Sequence, residues 1–310
     1  MIELKRVAVT GAGGFIGTAV CRTLLNLGCE IHALVGPPGD VLEAPAGVTV
    51  ALWGAISDAL VLAPLIEGVD AVVHLAGPPS VRASFDDPVG YVNAHTGGTA
   101  AVLETCRSMG IGQFVYVSSA EVYGRPRTDP VEESHPLDAR SPYAAAKVGA
   151  EQLVRAFDHA YGTCSAIVRP FSVYGPRMGA HALLPAILRQ LGSSGPLRLA
   201  DLRPERDYCH VDDVARAIVG AARTPHRGTV ALNAGSGIGT SVRELAETAL
   251  RLAGLERSLE EDVAGRRPGQ SDILRLVADR RLASQMLGWE PQISLETGVR
   301  EMLSAYTSPA

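Results

Sequence analysis

"VTGAGGFIG", residues 9–17, lies between a short β-rich run and a helix-like one. Three of its glycines, Gly11, Gly14 and Gly17, stand three apart. That spacing permits a tight turn, lets backbone approach a pyrophosphate and lets a helix pack closely on a sheet, with phosphate at the helix N-terminus. A glycine-rich loop alone is a weak signal, but a strand before it and a helix after it supply the context of a dinucleotide-binding turn. Gly11, Gly14, Phe15, Ile16 and Gly17 are therefore the predicted cofactor contacts. An acidic residue roughly 20 positions further on would bond the adenine ribose of NAD. "HALVGPPGD" (32–40) places Val35 and Gly36 there, with no adjacent arginine for a 2′-phosphate and with Asp40 beyond a Gly-Pro-Pro-Gly turn. A dinucleotide is predicted, and the residues leave NAD and NADP both open.

Outward from this loop, near-continuous apolar runs recur at 6–10, 30–35, 49–53, 71–76 and 114–119, a texture that suits strands covered on both faces of a parallel sheet. Segments 15–27, 59–66 and 88–109 between them carry apolar residues at helical spacing, and a helix at 143–161 and a strand at 165–170 continue the alternation. The fold predicted is α/β, a Rossmann-type doubly wound parallel sheet. After about residue 175 glycine and proline become frequent, and helices are expected at 181–191, 213–224, 241–253, 279–287 and 295–305. The expected organisation is a dinucleotide-binding domain over 1–175 and a smaller, mostly helical substrate lobe over 176–310, interleaved with the first.

Composition narrows the function. The net charge of −5 comes without a basic stripe, which argues against nucleic acid, and any anionic ligand must be held by a few placed arginines. No apolar stretch is long enough to cross a bilayer, and "KRVAVTGAGG" has no signal peptide ahead of it. Cys21, Cys29, Cys106, Cys164 and Cys209 are odd in number, scattered and free of CxxC spacing, as in reduced thiols of a cytoplasmic protein.

"SPYAAAK" (141–147) sets Tyr143 and Lys147 four apart at the start of a helix, hence on one face. A phenol is a poor base at neutral pH. An ammonium one turn away, together with the positive ring of an oxidised nicotinamide, favours the phenolate and suits acid–base work at a carbinol or ketone. Ser119, at the end of the preceding strand, supplies a hydroxyl for the same substrate oxygen. Glu121, two residues on in "VSSAEVYG", is either a general base or a loop charge. His210, Asp212 and Asp213 suggest a metal only superficially; they are expected to cap and anchor the following helix, and no metal is assigned.

"TGAGGFIG", "HLAG", "VSSAEVYG", "SPYAAAK", "RPFSVYGPR", "RDYCHVDD", "RRPGQ" and "ADRRLASQMLGWEP" follow in order along nearly the whole chain. Together they resemble the extended short-chain dehydrogenase/reductases, in the NAD-dependent epimerase/dehydratase branch that acts on nucleotide sugars. The resemblance implies Ser119, Tyr143 and Lys147 as catalytic group. It also implies Arg206 and Arg267 as the grip on a nucleotide-diphosphate sugar, a role that guanidinium geometry suits. A homodimer through helices 88–109 and 143–161 is implied as well. Three positions depart from the family pattern: Ser172 stands for the usual Asn of "RPFNVYGP", His95 for the Asn of "NVxGT", and "GAISD" (54–58) lacks its first acidic residue. Ser172 is kept as a substrate contact, weaker than the Asn it replaces.

Similar dehydratases keep Thr-Asp-Glu or Thr-Ser-Glu where this chain has Ser119, Ala120 and Glu121, so the acid needed at C6 is missing. Decarboxylating relatives carry an arginine where this chain has Leu276. Epimerases and 4-keto reductases need only the hydride partner, the tyrosine and a hydroxyl, which leaves Glu121 as a carboxylate at the rim. The expectation is a sugar-nucleotide 4-epimerase. An NADPH-dependent 4-keto-sugar reductase, a weakened 4,6-dehydratase and a non-catalytic cofactor-binding protein stand as alternatives.

Overall fold

The computed structural model describes residues 1–37, 42–180, 182–262 and 273–307. The apolar runs of the first half form β1 (Arg6–Thr10), β2 (Glu30–Leu34), β3 (Val50–Leu52), β4 (Ala71–His74), β5 (Gln113–Val117) and β6 (Cys164–Pro170). The second half adds β7 (Ser172–Tyr174), β8 (Leu197–Leu199), β9 (Glu205–His210), β10 (Thr229–Ala234), β11 (Gly239–Ser241), β12 (Leu259–Glu261) and β13 (Arg275–Leu276). Helices are α1 (Phe15–Leu25), α2 (Ala59–Ile66), α3 (Pro88–Val92), α4 (Gly98–Ser108), α5 (Pro142–Tyr161), α6 (Leu183–Leu191), α7 (Val211–Arg223), α8 (Val242–Leu252), α9 (Arg281–Leu287) and α10 (Leu295–Thr307).

Seven strands pair in the order β3-β2-β1-β4-β5-β6-β10, every pair parallel. Alternation of side chains along each strand sends two apolar sets to opposite faces. Val7 and Val9 of β1 pack under α1 and α7, whereas Ala8, Val72, Phe114 and Tyr116 pack under α2, α4 and α5. The chain leaves β1 toward β2 and β3, then crosses back to β4. The carboxyl ends of β1 and β4 therefore flank the point where the winding reverses, which is where such sheets bind ligands. Thr10 pins that edge: its hydroxyl oxygen accepts the N–H groups of Leu75 and Ala76, both at 3.2 Å.

The helical segment expected over 88–109 is not uniform. Between α3 and α4 the residues Asn93–Gly97 form a π-turn, a widened turn of the kind that aims side chains differently from an α-helix. Beyond β6, one residue leads into β7, which pairs with β9 in a second sheet ordered β11-β9-β13. That sheet thus grows from the carboxyl edge of the first. A separate apolar cluster of α6, β8, α8 and α10 residues supports it.

A buried ion pair ties these parts together. Arg169 at the end of β6 binds Glu151 of α5 through two parallel bonds, Nε to Oε1 at 2.9 Å and Nη2 to Oε2 at 2.6 Å. The side chains are 2% and 0% exposed. Glu151 also accepts the Ser118 hydroxyl at 2.6 Å, and Arg169 Nη1 donates to the Tyr123 hydroxyl at 2.8 Å and the Glu133 carbonyl at 3.1 Å. Tyr123 then donates to Asn233 Oδ1 at 2.6 Å, and Asn233 Nδ2 reaches the carbonyls of Val131 and Asp279. Removing one partner of such a pair leaves an uncompensated buried charge. Arg169→Met is accordingly expected to lower unfolding free energy in urea by about 3–5 kcal/mol, and a loss below about 1 kcal/mol contradicts this account of the pair.

Candidate active site

Local sequence places the two helical candidates. Ser141 caps α5, its hydroxyl accepting the Ala144 N–H at 3.1 Å, and Pro142 occupies the first turn, where its missing N–H costs nothing. Tyr143 and Lys147 then face inward, 9% and 4% exposed, toward the end of β5. Lys147 Nζ donates to the carbonyl of Val117, the last residue of β5, at 2.8 Å, and lies 5.9 Å from the centre of the Tyr143 ring. Ser119 lies just past the same strand, beside the Tyr143 side chain, and accepts the Glu121 N–H at 3.2 Å. Glu121 is half-buried, and its charge acts on Tyr143. Four predicted residues are thus gathered at one strand end.

Burial dominates the electrostatics. It pushes the Tyr143 phenol up to about 12; the nearby Ser119 hydroxyl opposes this, while Glu121 and Tyr91 add to it. Burial likewise pushes Lys147 down to about 7, against the pull of Glu151. His74, near the same lysine, falls to about 3, mainly by burial and then by the Lys147 charge. In the protein alone the lysine therefore does not offset the burial of the phenol.

The glycine loop occupies the carboxyl end of β1. Gly11 has φ +70°, and a Cβ there would sit 2.9 Å from the Ala76 nitrogen; a Cβ on Gly17 would overlap the Gly11 carbonyl. The loop is thereby pressed against both the β4 edge and its own helix. No side chain caps α1, so its first N–H groups face the loop without a side-chain acceptor. Phe15 and Ile16 are half-buried and pack on the core beneath α1. Val35 follows β2 and is buried, and Asp40 lies outside the described residues.

Ser172 and Arg206 stand on the paired strands β7 and β9 of the second sheet, both half-buried. Arg206 Nη1 donates to the Glu205 carbonyl at 3.0 Å. Arg267 lies outside the described residues. Leu276 is a buried residue of β13. His210 caps α7, and Asp213 accepts the N–H groups of Gln292 and Ile293, both at 3.0 Å, so these residues organise loops; no metal-binding cluster occurs among the described residues. No helix among them is long and apolar enough to cross a membrane. Sequence reasoning missed the Glu151–Arg169–Ser118 set, since an acid in a helix and an arginine in a strand carry no pairing signal. It noted His95 only as a departure, yet the structure sets that ring edge-on to Tyr143, 5.3 Å between centres.

A family model described as "NAD dependent epimerase/dehydratase family" matches residues 7–235. The chain belongs to that family. Among its curated members, a UDP-glucose 4-epimerase of Azospirillum brasilense is 33% identical over 321 residues, covering 96% of this chain and 91% of that protein. Among solved structures, MoeE5 in complex with UDP-glucuronic acid and NAD superimposes with a TM-score of 0.86 at 29% identity, over 98% of each chain. The Thermus thermophilus UDP-glucose 4-epimerase in complex with NAD gives 0.87 at 26% identity, over 98% of this chain and 100% of that one.

Lys147 offers a test of the electrostatic picture. Its folded pKa, about 7, lies below the ordinary 10.5, so between those values the unfolded chain holds more protons and the lysine's contribution to stability improves as pH rises. Comparing the cofactor-free protein with Lys147→Met in urea, the stability difference should shift toward the parent by about 2 kcal/mol from pH 7 to pH 9. A pH-independent difference contradicts a lysine titrating near neutrality.

Proposed function

We propose that this protein is an NAD-dependent nucleotide-sugar 4-epimerase that works by transient oxidation at C4. The observation that carries the reading is the convergence of Ser119, Tyr143 and Lys147 at the end of β5, with Ala120 buried where a dehydrating relative would need an acid or hydroxyl. The 4-epimerase relatives, and the NAD in both structural neighbours, support it.

The residues present fit NAD. The uncapped start of α1, with Gly11, Gly14, Phe15, Ile16 and Gly17, suits a pyrophosphate, and Lys147 has N–H donors beyond the one given to Val117 for the nicotinamide ribose. Bound NAD would supply the acceptor for the C4 hydrogen and its electron pair and the donor for their return. Tyr143 takes the proton of the C4 hydroxyl and later gives it back. Ser119, just past β5, orients the C4 oxygen. Lys147 stabilises the phenolate jointly with the oxidised ring. Glu121 borders the site and bonds a sugar hydroxyl. Arg206, Ser172 and Arg267 hold the diphosphate, the arginines as bidentate donors. The enzyme acts in the cytoplasm as a homodimer paired through the α3–α4 segment and α5.

Denaturing freshly purified protein and identifying the released dinucleotide by mass spectrometry tests the reading. Stoichiometric NAD is expected, since a cofactor regenerated in each turnover need not leave. An empty site that then prefers NADPH to NADH overturns the epimerase in favour of a 4-keto reductase. Tyr143→Phe should reduce C4 inversion of a nucleotide sugar by about 10²–10⁴-fold while retaining NAD. Unchanged inversion in that variant removes Tyr143 from the chemistry.

A further inference from the structure

His95 occupies the centre of the π-turn between α3 and α4, with its ring 1% exposed. Its Nε2 lies 3.1 Å from the Pro78 carbonyl. A carbonyl only accepts, so the ring proton is on Nε2 and Nδ1 carries the lone pair. Nδ1 is buried and has no hydrogen-bond partner among the described residues. A buried acceptor without a partner costs stability that an apolar side chain of similar size would not. Packing alone therefore does not account for a histidine here.

What the ring touches does account for it. Gly77, at φ +139°, turns its open side to Nδ1 and Cε1, and a Cβ at that position would overlap the imidazole. The two residues fit only as a pair. Tyr91 packs on the same ring, 6.0 Å between ring centres. The turn 77–80 is thus held at Pro78 by His95. It leaves the carboxyl end of β4, beside β1, where the winding reverses. The imidazole also meets Tyr143 edge-on, at 83° between planes.

We infer that His95 is a positioning residue for the cofactor side of the site: its Nε2–H fixes the turn 77–80 as a wall of the crevice at β4, and its ring sets the orientation of Tyr143 toward the cofactor. This rests on the NAD-dependent reading above. Burial and the nearby Lys147 charge keep the imidazole neutral, which leaves Nε2–H as donor to Pro78 and gives the ring no acid–base role. His95 touches no reacting atom; it acts through the turn and through Tyr143.

The test compares parent, His95→Gln and His95→Leu for NAD affinity by calorimetry on protein stripped of dinucleotide, for kcat and KM of C4 inversion, and for thermal midpoint. Glutamine carries an amide nitrogen to the place of Nε2; leucine keeps bulk and loses the donor. Expected is near-parental NAD affinity and kcat for His95→Gln. For His95→Leu, NAD binding should weaken by about tenfold or more, with kcat lowered and the KM for nucleotide sugar unchanged. Should the leucine variant not fold, His95→Asn replaces it, because its amide nitrogen stops short of Pro78 and the same loss is expected. Parental NAD affinity and kcat in the donor-less variant, whatever its thermal midpoint, overturn the inference, as does a folded His95→Gln that fails equally. A parent protein that binds NAD but inverts no sugar contradicts the reaction instead, and the affinities alone still decide on His95.

Discussion

Glu151 and Arg169 hold the point on which the site depends. Each joins an element that brings chemistry: α5 carries Tyr143 two turns and Lys147 one turn before Glu151, and β6 leads through Arg169 into the second sheet. Ser118, bonded to the same carboxylate, precedes Ser119. The pair therefore sets α5 against the end of β5, and through Tyr123 and Asn233 it extends that order to the loop 131–135 and to Asp279. A buried ion pair whose charges are both hydrogen-bonded contributes geometry more than net stability.

Around this frame the protein disfavours charge. Burial holds Tyr143 protonated and weakens Lys147 as a cation, and it keeps His74 and His95 neutral. For the proposed epimerisation, a positive nicotinamide ring would offset what burial takes from Tyr143, coupling its base strength to the oxidised cofactor.

Much of this was legible in the chain. The glycine loop and the continuous apolar strands specified a parallel, doubly wound sheet, because glycine spacing and two-sided burial are local properties of sequence. The shared face of Tyr143 and Lys147 was legible because a four-residue spacing on a helix fixes it. Other features depend on tertiary packing. The π-turn at 93–97 ends at the pair Gly97 and Gly98, which an unbroken helix also accommodates, so 88–109 reads as plain helix. The depressed lysine and raised tyrosine arise from burial that no spacing reveals. Glu151 and Arg169 find each other across an 18-residue separation set by the strand that follows α5. Ser172 and Arg206 were readable as residues, and their neighbouring strands became visible only in the second sheet.

The most direct measurement of the central claim is the fate of hydrogen at C4. A nucleotide sugar deuterated at C4 would be incubated with protein as purified, without added cofactor, and the product examined by NMR and mass spectrometry. Transient oxidation with internal return predicts the inverted sugar with deuterium still at C4 and none lost to water. Loss of the label to solvent, or inversion that requires a stoichiometric reductant, contradicts it.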